Sequence, residues 1–147
     1  MKVQVVSRVT INASPADVFV YLENLQYHHL WNPPLLEISP IISLQLNSQY
    51  QTTSFILGKK IRATNKVTAF VKGKLLRVEN NTGLVRYQAS YELTATGKQT
   101  IVTCKIDVSS ESKTFAFTKQ VLKVLARREL QTDLQALKIA VEQRLSA

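Results

Sequence analysis

The sequence has little that staples or stiffens a chain. Its one cysteine, Cys104, excludes an internal disulfide and any cysteine-rich metal centre. Four glycines and four prolines in 147 residues are too few for a fibrous or low-complexity chain. No apolar run approaches the roughly 20 residues of a membrane-spanning helix. The start, MKVQVVSRVTI, alternates apolar and polar residues and lacks the apolar core of a signal peptide. The two histidines, His28 and His29, are adjacent and diverge by about 100° on a helix. They offer no HxxxH or comparable ligand spacing, so no metal site and no cofactor are expected. GxSxG, Walker and GxGxxG patterns are also missing.

Acids are scarce too: ten, against nineteen Lys and Arg, for a net charge of +9. The imbalance is local. Residues 1–58 hold two basic and three acidic side chains, whereas residues 59–147 hold seventeen and seven. The stretch Lys59–Arg77 carries seven basic residues and no acid. Lys119, Lys123 and Arg127 add a stripe at i, i+4, i+8. Such a surface favours anionic partners, a membrane before nucleic acid, because no aromatic stacking platform accompanies it; nucleic acid is not expected as a partner. The plain alternative is a solvated face.

Apolar residues at 45% and charged residues at 20% describe an ordinary globular chain, read as a single soluble domain over 1–147 with a cytoplasmic default location. Val3, Val5, Val9 and Ile11 predict a first strand over 2–11. Ser14 as N-cap, Pro15 at the first helical position and Asp17 in the first turn predict a helix running to about Asn24. A second short helical turn is expected over Tyr27–Trp31, ended by Pro33 and Pro34.

From Leu36 to Val108 the pattern is that of strands. The clearest is Lys60–Lys72, with Ile61, Ala63, Asn65, Val67, Ala69 and Val71 on one face and mainly basic residues on the other. Turns at Gly58-Lys59, Gly73-Lys74, Asn80–Gly83 and Thr96–Lys98 imply an antiparallel meander. Residues 84–95 place Val85, Tyr87, Ala89, Tyr91, Leu93 and Ala95 together, and residues 100–108 place Val102, Cys104, Ile106 and Val108 together. From about Thr114 to Leu145 no Gly or Pro occurs, and Leu130, Leu134, Leu137, Val141 and Leu145 mark a long amphipathic helix. The predicted fold is α+β: a curved antiparallel sheet of about seven strands around a long C-terminal helix, with two short helices after the first strand. One helix over a curved sheet leaves space between them, where small-molecule sites favour forming.

The segments Ile11–Phe19, Tyr27…Trp31-Asn32-Pro33, Ser48-Gln49-Tyr50 with Phe55–Ile61, and Leu130…Asp133-Leu134…Leu137-Lys138…Glu142 together resemble the SRPBCC or START-like superfamily with the helix-grip fold, nearest its polyketide cyclase/dehydrase branch. Asn47-Ser48-Gln49 departs from it where relatives often carry a glycine. The resemblance implies an internal cavity for lipids, sterols, polyketides, quinones or other apolar molecules, in which some relatives catalyse cyclisation or dehydration and others carry or sense a ligand.

The expected cavity lining is Trp31, Phe55, Ile61, Ala63, Val67, Tyr87, Ala89, Tyr91, Cys104, Phe117, Val121 and Leu125. Cys104, mid-strand on an apolar face, is expected to be an inert thiol. Tyr87 and Tyr91, four apart on one strand face, are the candidate donors for orienting a ligand or polarising a carbonyl; ordinary core tyrosines are the alternative. A partly exposed loop position is expected for His28 and His29, ahead of the alternative that one of them stands near the cavity as a general acid or base. Glu79, Glu92 and Asp107 are expected to face water, which leaves few acids at cavity positions. The expected function is binding or transport of a small hydrophobic ligand, with transient membrane contact through Lys59, Lys60, Arg62 and Lys66. A polyketide cyclase or dehydratase and an interaction module using the basic face are the alternatives.

Overall fold

The computed structural model describes residues 2–56, 59–83, 85–109 and 119–146. Strand β1 (Lys2–Ile11) forms from the opening alternation and buries Val3, Val5 and Ile11. Helix α1 (Pro15–Glu23) begins at an extended Ser14, whose Oγ accepts the Asp17 N–H at 3.3 Å and whose hydroxyl donates to Asp17 Oδ2 at 3.0 Å. Its orphan amide is thereby satisfied and its positive end faces an acid. Asn24 leaves the helical region, and its side-chain amide donates to the Val20 carbonyl at 2.8 Å. A 3-10 turn over Leu25–Tyr27 leads into α2 (His28–Trp31), one residue shorter than the expected turn.

Seven antiparallel strands follow the spatial order β1-β7-β6-β5-β4-β3-β2. The remaining strands are β2 (Leu35–Ser39), β3 (Gln49–Ile56), β4 (Lys59–Val71), β5 (Leu75–Asn80), β6 (Arg86–Thr96) and β7 (Gln99–Ser109). Strands β2 to β7 form a meander, and β1 closes on β7, so α1 and α2 carry the chain from one sheet edge to the other. Gly73 at φ 75° and Gly97 at φ 62° turn two hairpins without a Cβ penalty. Asn47 at φ 70° takes a left-handed conformation, which asparagine tolerates better than most residues. Gly58, expected in a turn before β4, lies outside the described residues, and Lys59 is already in the ladder opposite Ile56.

The alternation expected along the whole of β4 fails at one point. The register slips between Val67 and Ala69, a bulge that reverses the faces beyond it. Phe70 therefore turns inward, with its ring edge-on to Phe19 at 5.5 Å, and Val71 is 48% exposed. Thr68, at the bulge, has a buried hydroxyl oxygen with no partner.

Helix α3 (Lys119–Ser146) is 28 residues, about 42 Å long; the expected start at Thr114 lies outside the described residues. Its apolar stripe of Leu130, Leu134, Leu137 and Val141 is fully buried. Lys138 Nζ donates to the Thr10 carbonyl at 2.9 Å, and Glu142 accepts the Asn12 N–H at 2.9 Å. These contacts fix the C-terminal half of α3 on β1 and the turn after it. From Lys119 to Glu129, by contrast, no residue is buried.

Leu137→Ala is expected to cost about 2–5 kcal/mol, because a fully buried side chain leaves a cavity that cannot collapse. Urea unfolding measures it, and a loss under about 1 kcal/mol would contradict the role of this stripe as the cover of the sheet.

Candidate functional site

Helix α3 packs on β1 and α2, and its backbone does not approach β3 to β6 closely. The gap is a cavity of about 440 Å³, within the usual range for small-molecule sites. Its floor is the concave face of β3 to β7, its roof is α3 from Leu122 to Asp133, and α2 closes one side with His28 and Trp31. Phe55, 53% exposed, stands at its open edge.

Of the expected lining, Trp31, Phe55, Ile61, Ala63, Tyr87, Ala89, Tyr91 and Leu125 border the cavity. Three do not. Val67, just before the bulge, is spent in the solid core at 0% exposure. Cys104 is equally buried, cross-strand from Tyr91, whose side chain takes the cavity-facing place. Val121 is 43% exposed, because Leu122, Leu125 and Ala126 face the cavity and the helical step turns Val121 away. Phe117 lies outside the described residues.

Trp31 is fixed by its indole N–H, which donates to the Tyr21 carbonyl at 2.9 Å, and by an edge contact with Tyr91 at 5.7 Å. On the sheet wall the Tyr87 hydroxyl donates to Asn65 Oδ1, and Asn65 Nδ2 donates to Thr52 Oγ1 at 3.0 Å. Burial pushes Tyr87 up to about 12. Burial, then the nearby Tyr87 phenol, raises Tyr50 well above the ordinary tyrosine range. Tyr91 is raised by burial first, then by Cys104, Asp133 and Tyr50. Burial likewise holds the Cys104 thiol protonated. All of these are neutral at physiological pH, so the three phenols are hydrogen-bonding groups and not bases.

Two expectations about polar groups are overturned. His28 is 5% exposed, not a loop residue: it shares a helix face with Trp31, their rings 4.6 Å apart, and borders the cavity. Its Nε2–H donates to the Leu22 carbonyl at 2.8 Å, which makes Nδ1 the unprotonated nitrogen. Burial lowers it from 6.5 to about 4. His29 is exposed.

Acids, secondly, are present at the cavity: Glu129 and Asp133 come from adjacent turns of α3. Burial, then the Glu129 charge and a hydrogen bond between the two carboxyls, raise Asp133 far above the usual carboxylate range. Asp133 therefore keeps its proton at neutral pH. The strand acids do face outward: Glu92 is exposed, and Asp107 Oδ1 accepts from Gln4 Nε2 at 2.7 Å. Among the described residues no three of His, Cys, Asp and Glu are grouped to hold a metal ion.

A family model described as "Polyketide cyclase / dehydrase and lipid transport" matches residues 2–142. The chain belongs to this family. Solved structures repeat its fold. The protein TTHA0849 of Thermus thermophilus superposes with a TM-score of 0.84 at 15% identity, over 97% of this chain and 99% of that one. A START superfamily protein from Mycobacterium smegmatis gives 0.81 at 18% identity, over 95% and 97%. The Zhui aromatase/cyclase from Streptomyces sp. R1128 gives 0.81 at 16% identity, over 99% and 96%. At such identities the likeness is one of fold. No curated protein matches the sequence. Within this polyketide cyclase and lipid transport family, then, the chain has the seven-stranded helix-grip architecture and a cavity of its own composition.

His28 makes stability depend on pH with a definite sign. Between about 4 and 6.5 the unfolded chain binds the proton and the folded one does not, so stability rises with pH across this window and is lost as pH falls through it. The full effect is on the order of 3 kcal/mol. Denaturant unfolding of His28→Gln at pH 7 and pH 4.5 is expected to show a flatter dependence than the parent; equal slopes would contradict a buried neutral imidazole.

Proposed function

We propose that the protein reversibly binds and carries a small hydrophobic molecule (a lipid, polyketide, quinone or similar) in this cavity, and that it does so in the cytoplasm. The observation that carries the reading is an apolar chamber of about 440 Å³ roofed by α3. A family description that includes lipid transport supports it. Apolar burial, about 25 cal/mol per Å² before the costs of association, would supply the affinity. Among the described residues no helix is long and apolar enough to cross a membrane.

A cyclase or dehydratase reading would use Tyr87 and Tyr91 as donors. The Tyr87 hydroxyl is already donated to Asn65, and Tyr91 is buried cross-strand from Cys104 with its phenol held protonated. The carrier reading needs neither of them free. A closed interaction module would need no chamber of this size.

Ala89 sits on β6 between Tyr87 and Tyr91 and borders the cavity. Ala89→Trp is expected to fill the space and to abolish uptake of an apolar fluorescent probe, while circular dichroism and cooperative unfolding persist. Unchanged uptake would refute the site.

Lys59, Lys60, Arg62 and Lys66 are all exposed on β4, which begins beside Phe55 at the open edge. We propose that they touch an anionic membrane transiently during ligand exchange, at about 1 kcal/mol per residue near the surface. Co-sedimentation with phosphatidylglycerol-containing vesicles at low salt should fall several-fold in Lys60→Glu/Arg62→Glu. Equal binding to purely phosphatidylcholine vesicles would contradict this contact.

A further inference from the structure

The sign of the charge outside the protein is opposite to the sign inside it. Among the described residues around the cavity, the ionisable ones besides the phenols are His28, Arg128, Glu129 and Asp133. Arg128 is exposed to water at the rim. His28 is neutral, and its N–H is committed to the Leu22 carbonyl. The charge that the described residues present to a buried ligand is therefore that of the acid pair.

The pair is also unsatisfied. Glu129 Oε1 and Asp133 Oδ1 are shielded from water and have no hydrogen-bond partner. A polar group also stands on the opposite wall. Tyr50, on β3, is only 7% exposed and borders the cavity, and its hydroxyl makes no hydrogen bond with any described residue. Tyr91 lies within electrostatic reach of both Asp133 and Tyr50, which places the two walls around one polar region. Buried polar groups left unpaired in a folded chain are costly and call for a partner.

The missing partner is constrained by chemistry. Carboxyl oxygens accept hydrogen bonds, and a phenol oxygen accepts as well as donates. A carboxylate or phosphate ligand would set a like charge beside the pair in a region of low dielectric. A neutral ligand would leave the pair's negative charge without a counter-charge.

We propose, building on the carrier reading, that the cavity selects apolar molecules ending in a protonated amine, with the ammonium group seated between Glu129 and Asp133. The ammonium N–H groups donate to carboxyl oxygens of the pair, Asp133 keeps its proton so that one negative charge meets one positive charge, and Tyr50 offers an acceptor from the sheet side. The apolar body lies along Ile61, Ala89 and Leu125.

Trp31 is the only tryptophan and borders the cavity, so its fluorescence reports occupancy. Dodecylamine, dodecanol and dodecanoate, each below its micelle concentration at pH 7, share one chain and differ in the head group. The amine is expected to bind at least about tenfold tighter than the alcohol, with the acid weakest. Glu129→Gln/Asp133→Asn, close in shape to the parent, should bring the amine to within about twofold of the alcohol measured on the same variant. An alcohol or acid that binds the parent as tightly as the amine overturns the proposal, as does an amine preference that survives in the variant. Failure of all three to bind the parent would instead overturn the carrier reading beneath it. The parent's head-group order alone decides the matter if the variant does not fold.

Discussion

The attachment of α3 by its second half is the constraint from which the rest of the molecule follows. Leu130, Leu134, Leu137 and Val141 are fully buried, and Lys138 and Glu142 fasten the same segment to the backbone at Thr10 and Asn12. Both fastenings lie at one edge of the sheet, on β1 and the turn that follows it. The sheet curves away beneath the helix, and the first eleven residues of α3 have no buried member. A helix held along its whole length would have closed on β3 to β6 and squeezed out the space. Held at one end, it roofs a cavity of about 440 Å³.

The chemistry of that cavity follows from what its walls can spare. The sheet gives hydroxyls and an amide that mostly satisfy one another, as in Tyr87–Asn65–Thr52. The helix gives two carboxyls in adjacent turns with no basic partner among the described residues, and Asp133 responds by keeping its proton. These two effects separate the inner polarity from the outer. The net charge of +9 describes the surface met by solvent and by any large anionic partner. It says nothing about the head group of a molecule taken inside.

Most of the architecture was legible in periodicity and punctuation. The alternation of β1, the Ser14-Pro15-Ala16-Asp17 start of α1 and the α3 stripe each combine a strong local signal with a matching tertiary use. What was missed has physical reasons. The β4 bulge costs no turn residue and leaves no mark in composition, so Phe70 and Val71 were assigned to the wrong faces. The acid pair escaped a reading that followed the apolar stripe and the basic stripe of α3. A signal existed: Glu129 and Asp133 each precede a stripe leucine by one, stand i, i+4 to each other, and have no Lys or Arg three or four residues away on either side. Like charges so placed destabilise a helix unless one is neutralised or a ligand intervenes. His28 was likewise readable through its i, i+3 relation to Trp31, but a four-residue helix gives too short a pattern to decide which face is buried. The unused lining candidates Val67, Cys104 and Val121 fail because strand parity or helical step alone does not say where packed core ends and open space begins.

The central claim is that α3 and the sheet enclose a chamber that holds an apolar molecule. Native mass spectrometry of freshly purified protein, paired with organic extraction of whatever is bound, tests it most directly. The account predicts a reproducible added mass that disappears on extraction and reappears when the extract is returned to the stripped protein. A clean mass for the chain alone, with no uptake from a set of apolar probes, would contradict it.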